Sequence, residues 1–420
     1  MGKITCLGAC QEVGGSGFLV NANNRKILLD YGIYLRRKNP FPITVQPKEI
    51  DAIFLTHAHL DHSGALPLMY ITGNPPIYTT KITMDVLRVL LEDYLNISEA
   101  ILPYDEGEIE SMRENFVKTS YGDIINVGED FNVMIIDAGH IPGSYMALIE
   151  VTGKRILYTG DINIRDTLLV KGAKPNLPEI DYLIMESTYA LTNHPPREEL
   201  EKEFIESINQ VVDKGGVVLI PAFALSRSQE VLCILKKYNF ENQIILDGMA
   251  REISRIFLRY PKYFRDFKLL KDAHSQIEYI EGRKSREIAI KNGGVIIAPA
   301  GMLSGGAALY YARQLANDEK HGIFIVGYQL PGTPGRVLLD TGKLPVNGGV
   351  LDVQAQVKYF DFSAHAGSQE LIEFIKSVPG NPTIIPVHGE PESVKYLADY
   401  ASRELGLNTI LPVSGETVEI

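Results

Sequence analysis

Cysteine is scarce in this 420-residue chain, which carries only Cys6, Cys10 and Cys233. An odd, small number argues against a disulfide framework, and Cys6 and Cys10 lack a CxxC partner, so all three are expected to be structural thiols. Long hydrophobic runs are missing as well. No apolar stretch approaches the ~20 residues that cross a bilayer. The start, Met1-Gly2-Lys3-Ile4-Thr5, enters a strand-like segment rather than a secretory signal. The expected location is therefore cytoplasmic, with no membrane partner. Positive charge is in deficit: 41 Lys and Arg against 52 Asp and Glu give a net charge of −11. That balance does not advertise a general polyanion binder, because phosphate binding draws on Lys and Arg. Internal repeats and low-complexity segments are absent, which excludes a solenoid.

What is present is ordinary in bulk and unusual in detail. A hydrophobic fraction of 45% and a charged fraction of 22% fit a soluble globular protein. The length favours two domains over one core. The unusual stretch is Thr56-His57-Ala58-His59-Leu60-Asp61-His62. It puts four metal-capable side chains within six residues, directly after the apolar run Ala52-Ile53-Phe54-Leu55. A strand delivers the chain, and the turn after it aims imidazoles and a carboxylate into one small volume. Imidazole nitrogen suits zinc, and a mixed His and Asp set can hold two such ions. Centres of that kind activate water for hydrolysis.

The same pattern recurs. Residues 133–136 lead through Asp137-Ala138-Gly139 to His140. Residues 155–160 lead to Asp161, 182–185 to Glu186, 357–362 toward His365, and 383–387 to His388. Short apolar runs with such flanks read as buried strands. Groups at strand ends are held by rigid elements yet reach a cleft. Asp30, at the end of residues 26–29, is placed to buttress the ligating histidines from behind. His57, His59 and His140 can form one metal site, and Asp61, His62 and His388 a second, with Asp161 as the bridge. Glu186 and His365 are candidates to protonate a leaving oxygen, the two orienting each other. His194, His274 and His321 lack this setting and read as ordinary surface histidines.

From residue 195 onward the pattern changes. Helices at 197–212, 226–237, 250–260 and 307–315 alternate with strands at 215–222, 243–246, 294–299 and 322–326. That alternation implies a parallel, Rossmann-like sheet. Because His365 and His388 lie beyond it, the module reads as an insertion. The expected domains are 1–195, an inserted 196–352, and a return segment 353–420. Within the insertion, residues 251–286 carry ten Lys or Arg and five acids (Glu252, Asp266, Asp272, Glu278 and Glu281). That local excess is a candidate phosphate track. Two loops also suit phosphate. Gly301-Met302-Leu303-Ser304-Gly305-Gly306 follows a strand and opens a helix, so Ser304, Gly305 and Gly306 can present backbone N–H groups. Gly332-Thr333-Pro334-Gly335-Arg336 offers the Arg336 guanidinium. Arg227, at the junction Ala222-Phe223-Ala224-Leu225-Ser226-Arg227, is a third candidate.

These residues resemble a known family. His57-Ala58-His59-Leu60-Asp61-His62 with Asp30, His140 and Asp161 is similar to the metallo-β-lactamase fold. Glu186 in Met-Glu-Ser-Thr-Tyr, His365 in Ser-Ala-His-Ala and His388 in Val-His-Gly-Glu resemble the three further motifs of its β-CASP branch. The stretches 57–67, 221–230 and 301–306 are similar to RNA nucleases of that branch, which include the endonuclease of eukaryotic pre-mRNA 3′ processing, its archaeal relatives and RNase J. The resemblance covers essentially the whole chain. It implies a four-layer αββα sandwich with an inserted β-CASP domain, two zinc ions with manganese as the alternative, and single-stranded RNA running between the domains. Catalysis would rest on Asp61, Glu186 and His365. By resemblance the chain is expected to form homodimers. The KH extension of longer archaeal relatives and the C-terminal domain of bacterial RNase J are not expected here. The sequence departs from relatives at Gly17 and at Asp247-Gly248-Met249-Ala250. The expected activity is 5′→3′ exonucleolytic with endonuclease activity beside it, and purely endonucleolytic 3′-end processing is the alternative. A glyoxalase-type thioesterase and a non-catalytic RNA-binding scaffold are the rival classes.

Overall fold

In the computed structural model, residues 2–35, 37–98, 102–280, 282–346 and 348–420 are described; Glu281 of the basic stretch lies outside them. Apolar residues at every second position build two facing sheets in the first unit. One sheet runs in the order Thr417–Glu419, Lys3–Cys6, Phe18–Ala22, Arg25–Leu29, Ala52–Phe54, Ile77–Thr80, Phe116–Thr119. The other runs Thr383–Val387, Tyr182–Glu186, Lys154–Tyr158, Tyr145–Val151, Phe131–Asp137, Ile124–Val127. Ile4, Phe18, Val20, Ile27, Leu29 and Phe54 of the first sheet pack against Val133, Ile135, Tyr145, Ile149, Ile156 and Ile184 of the second. Truncating a fully buried ring such as Phe54 to Ala should cost about 3–5 kcal/mol. The alternate residues Met146, Leu148, Leu157 and Leu183 face outward. They are covered by Leu371, Phe374 and Ile375 of helix Ser368–Ser377 and by Leu397 and Ala401 of helix Pro391–Leu405. Helix Lys81–Ile97 packs on the first sheet at Ile77–Thr80 and Phe116–Thr119. The result is the αββα sandwich.

Strand register decides what the sheets present at one edge. Parallel pairing sets Leu29 opposite Phe54, so Asp30 arrives beside Leu55 and Thr56. Parallel pairing of the second sheet sets Tyr158 opposite Ile184 and Glu186 opposite Val387. Residues 159–161 and His388 therefore emerge on the same rim as Glu186.

The second unit comprises Thr167–Leu169 and His194–Ser363; the first holds Met1–Asp166, Val170–Asn193 and Ala364–Ile420. The inserted unit thus runs past the expected 352. The physical reason is a strand: Gln356–Tyr359 pairs in parallel with Gly322–Ile325 and completes the inserted sheet rather than opening the return segment. That sheet is parallel throughout, in the order Ile277–Tyr279, Ile244–Leu246, Gly294–Ala298, Val217–Pro221, Gly322–Ile325, Gln356–Tyr359. It is Rossmann-like in its helix-linked parallel strands, but Gly294–Ala298 lies between the first two strands of the unit. Tyr311, Ala312 and Leu315 of helix Gly306–Leu315 pack on Leu219, Ile296 and Ile323.

Of two histidines expected at the surface, His321 is buried and His194 is half-buried, and both are bonded within the inserted unit. His321 Nδ1 accepts the Val217 N–H (2.9 Å), and His194 Nδ1 lies 2.6 Å from Asp361. Each satisfies a polar group that the strand pattern does not reveal. His274 is half-buried beside Tyr279. The three cysteines are free and buried.

Candidate metal centre

Three His residues enter the rim from two turns. His57 and His59 follow strand Ala52–Phe54, and His140 follows Phe131–Asp137. Their ligand atoms and an Asp161 oxygen lie within 4.8 Å of one another. Asp61, His62 and His388 form a second cluster of the same tightness. The two clusters meet at Asp161. Its Oδ2 is 3.3 Å from His57 Nε2 and 3.6 Å from His140 Nε2. Its Oδ1 is 3.1 Å from His62 Nε2 and 3.5 Å from His388 Nδ1. One carboxylate oxygen therefore faces each histidine set.

The supporting bonds fix which ring nitrogens look inward. His140 Nδ1 donates to the Ala364 carbonyl (2.9 Å), leaving its Nε2 lone pair for the centre. His62 Nδ1 donates to Asp30 Oδ2 (2.8 Å). His57 Nδ1 sits 3.0 Å from Thr56 Oγ1, whose own proton goes to Asp30 Oδ2 (2.8 Å). Asp30 is fully buried and also accepts the Thr56 N–H (2.7 Å) and the Tyr158 hydroxyl (2.7 Å). Such outer bonds set ring orientation and tautomer.

Fit to cations follows from the orphaned atoms. His57 Nε2, Asp161 Oδ1 and His388 Nε2 are buried with no hydrogen-bond partner. Burying such atoms unpaired is costly. Three or four N/O donors converging at each cluster suit zinc-like ions. The protonation states agree. Burial, then the neighbouring His62, hold His57 below the ordinary imidazole value. Burial, then His57, hold His59 at about 3. Burial and His365 hold His140 well below. Burial alone would raise Asp61 and Asp161, but the surrounding imidazoles outweigh it and keep both carboxylates ionised. Neutral imidazole and carboxylate are the ligating forms. His62 is the exception. Burial lowers it, yet Asp161 and Asp30 at its two nitrogens outweigh that and raise it well above. A cation competes with that proton for Nε2.

Beside the centre, His365 Nδ1 bonds both Glu186 oxygens (2.9 and 3.0 Å). Glu186 Oε1 also accepts the Ile162 N–H (2.8 Å). His365 Nε2 points to Asp161 Oδ2 at 3.9 Å. Burial lowers His365, but Glu186 and then Asp161 outweigh it and carry it up to about 9; cations at the centre would act in the opposite direction.

The chain matches three family descriptions. They are the Metallo-beta-lactamase superfamily over residues 11–198, the Beta-Casp domain over 228–338, and the Zn-dependent metallo-hydrolase RNA specificity domain over 350–412. It is 40% identical to RNase aCSPSF2 of Saccharolobus solfataricus, over 99% of this chain and 84% of that one. It is 38% identical to the Probable RNase MJ4 of Methanocaldococcus jannaschii, over the full length of both. The chain belongs to the β-CASP ribonuclease family. It is a metal-dependent ribonuclease. Against the transcription termination factor FttA of Pyrococcus abyssi it is 34% identical, over all of this chain and 71% of that one. A crystal structure of a protein of unknown function from Enterococcus faecalis shares the fold, with TM-score 0.62 and 16% identity over 99% of each chain.

In this β-CASP protein the other predicted residues are distributed as follows. Ser304, Gly305 and Gly306 open helix Gly306–Leu315, and the Gly335 N–H donates to Met302 O (2.9 Å), so the Arg336 loop lies beside them. A Cβ at Gly335 would lie 2.0 Å from Gln329 Oε1 and 3.1 Å from the Met302 carbonyl, so the Gln329 side chain would have to shift. Arg336 is exposed and held by Asp340 (2.8 Å). Arg227 is buried, and its charge helps lower the Asp361 carboxyl. At the departure from relatives, Asp247 is buried and accepts Arg286 (2.6 Å) and the Tyr311 hydroxyl (2.9 Å). Sequence reasoning missed Thr56, Tyr158, Thr188 (3.2 Å from His388 Nδ1) and Ser16 (3.4 Å from His62 Nε2). Thr56 adjoins the motif and was within reach; Tyr158 looks like any strand tyrosine. Gly32 was also missed. A Cβ there would lie 1.8 Å from the Asp61 carbonyl, so only glycine lets that loop close on the centre.

Proposed function

We propose that the chain is a two-zinc ribonuclease that degrades single-stranded RNA, chiefly 5′→3′ and with some internal cleavage. The observation that carries this reading is Asp161, whose two oxygens each face a separate His set, with the Glu186–His365 pair 3.9 Å away on the same rim. Ions held by His57, His59, His140 and by Asp61, His62, His388, shared through Asp161, would polarise the phosphodiester and make water a competent nucleophile at neutral pH.

The protein's own groups complete the reaction. The seven ligands, on strand ends and on the short helix Leu60–Ser63, hold the centre rigid. His365 is the better candidate to carry the proton to the leaving 3′ oxygen. It is partly exposed at 19%, whereas Glu186 is enclosed and already accepts the Ile162 N–H. Glu186 orients His365 through Nδ1, leaving Nε2 for the substrate. Ser304, Gly305 and Gly306, at a helix N-terminus, with Arg336 alongside, are proposed to seat a 5′ phosphate. Arg227 is proposed to support the RNA path from within. Manganese is the alternative ion.

The test compares 5′-monophosphate and 5′-triphosphate RNA, end-labelled and digested over time with the zinc-loaded chain. Faster, processive shortening of the monophosphate form supports the proposal. Equal rates with internal cuts only would leave the purely endonucleolytic reading.

A further inference from the structure

The basic stretch of the inserted unit is not used by the centre or by the phosphate loops. Its residues form a surface. Helix Ala250–Phe257 buries Ile253, Ile256 and Phe257 and turns Arg251 and Arg255 to the other side. Arg259, in the turn that follows the helix, is exposed. Arg251 and Arg255, four apart on the helix, are offset by about 6 Å along its axis, close to the phosphate-to-phosphate step of an extended strand.

These residues lie against the sheet edge Ile277–Tyr279, which among the described residues pairs with Ile244–Leu246 alone. Arg251 donates to the Ile280 carbonyl (2.7 Å), tying the helix to that edge. The Arg255 guanidinium sits 5.1 Å over the Tyr279 ring, and Tyr279 is 37% exposed. Beyond it the exposed Arg283 and Lys284 open the next helix, Gly282–Asn292. A net-acidic chain therefore concentrates cations around an exposed aromatic on one face. A cation–π platform beside a row of guanidinium groups is a stacking site on a backbone track.

We propose that this face is a second RNA-binding surface, distinct from the metal centre, which holds single-stranded RNA and gives the nuclease a preference for longer substrates. It rests on the ribonuclease reading and extends it to the substrate's length. Arg255 and Arg259 contact phosphates, and Tyr279 stacks a base. The bland reading is that the cations only shield an edge strand from pairing with other chains. That reading predicts no effect on RNA binding.

The test uses the full chain. Binding of a fluorescent oligouridine of about 20 nucleotides is measured in EDTA over a salt series, so that nothing is cleaved. Cleavage of a pentamer-sized substrate, about five nucleotides, is measured separately with zinc. Arg255→Ala with Arg259→Ala should weaken 20-mer binding about 10- to 25-fold near 0.1 M salt and lower the salt slope by about 1.4. Tyr279→Ala should weaken it about tenfold. Arg255→Lys should retain most of the slope. Short-substrate kcat/KM should stay within about twofold. Arg259→Ala alone, at an exposed position, guards against misfolding of the double variant and should still reduce the slope by about 0.7. Unchanged 20-mer binding in all variants, or equal losses on long and short RNA, overturns the proposal. A wild-type chain that binds the 20-mer through this face but cleaves nothing would keep the surface and reject the nuclease reading.

Discussion

Asp30→Asn changes one atom at the point where the histidine frame is anchored. Asp30 Oδ2 accepts three donors: Thr56 Oγ1, His62 Nδ1 and the Tyr158 hydroxyl, at 2.7–2.8 Å. Oδ1 accepts the Thr56 N–H. Asparagine keeps one acceptor oxygen. If that oxygen serves the backbone N–H, an amide NH2 faces three donors. The hydroxyls can rotate; the imidazole can only switch its proton to Nε2, the nitrogen that faces Asp161. One or two buried donors left unmet cost about 2–4 kcal/mol. For a unit of this size that lowers Tm by roughly 5–15 °C. Loss of a supporting bond of this kind typically weakens metal affinity 10- to 100-fold, or about 1.4–2.7 kcal/mol. The loss should fall on the ion held by His62, Asp61 and His388. Competition with a chromophoric chelator would measure it. A variant that binds both ions with wild-type affinity would refute the claim that Asp30 sets the His62 tautomer.

Other substitutions separate the roles. His57→Ala removes a buried Nε2 of the proposed centre, and should abolish tight binding of one ion together with RNA cleavage, read by metal analysis and a gel assay. Glu186→Gln should keep the metal content but lower kcat about 10²–10⁴-fold, since it loosens the orientation of His365; parallel loss of metal would reassign Glu186 to the ligand set. In the inserted unit, burial alone would raise the Asp361 carboxyl, but the His194 bond and charge, the Ser363 N–H and Arg227 outweigh it and hold it below its ordinary value. Its folded pKa is thus below the unfolded one near 3.9. The stability it confers is present above that value and is lost as pH falls through the folded pKa. Asp361→Asn should therefore destabilise the chain by about 1.5–3 kcal/mol at neutral pH and flatten the acid limb of the stability profile below pH ~4; an unchanged limb in denaturant titrations would count against the pair.

The site was more legible than the fold around it. His57, His140, Asp161 and His388 stand out because each follows closely on a short apolar strand, and His59, Asp61 and His62 because they crowd the turn and the short helix Leu60–Ser63 after strand Ala52–Phe54. The register itself, Glu186 opposite Val387, was invisible in the sequence, because pairing of residues about two hundred positions apart leaves no local pattern. The same limit misplaced Gln356–Tyr359. Its alternation looks like any strand, and only its partner Gly322–Ile325 assigns it to the inserted sheet. His194 and His321 were misjudged for a related reason. Their carboxylate and backbone partners come from distant segments, so nothing nearby marks them as held inside the unit. Asp30 was legible by position, whereas Tyr158 became its partner only through packing of facing sheets.

The central claim is that one carboxylate, Asp161, joins two cation sites built by seven side chains. A crystal of the zinc-soaked chain, with anomalous scattering collected at the zinc edge, tests it most directly. The account predicts two peaks per chain, one among His57, His59 and His140 and one among Asp61, His62 and His388, each in contact with a different Asp161 oxygen. A single peak that leaves one set empty, or peaks away from Asp161, would contradict it.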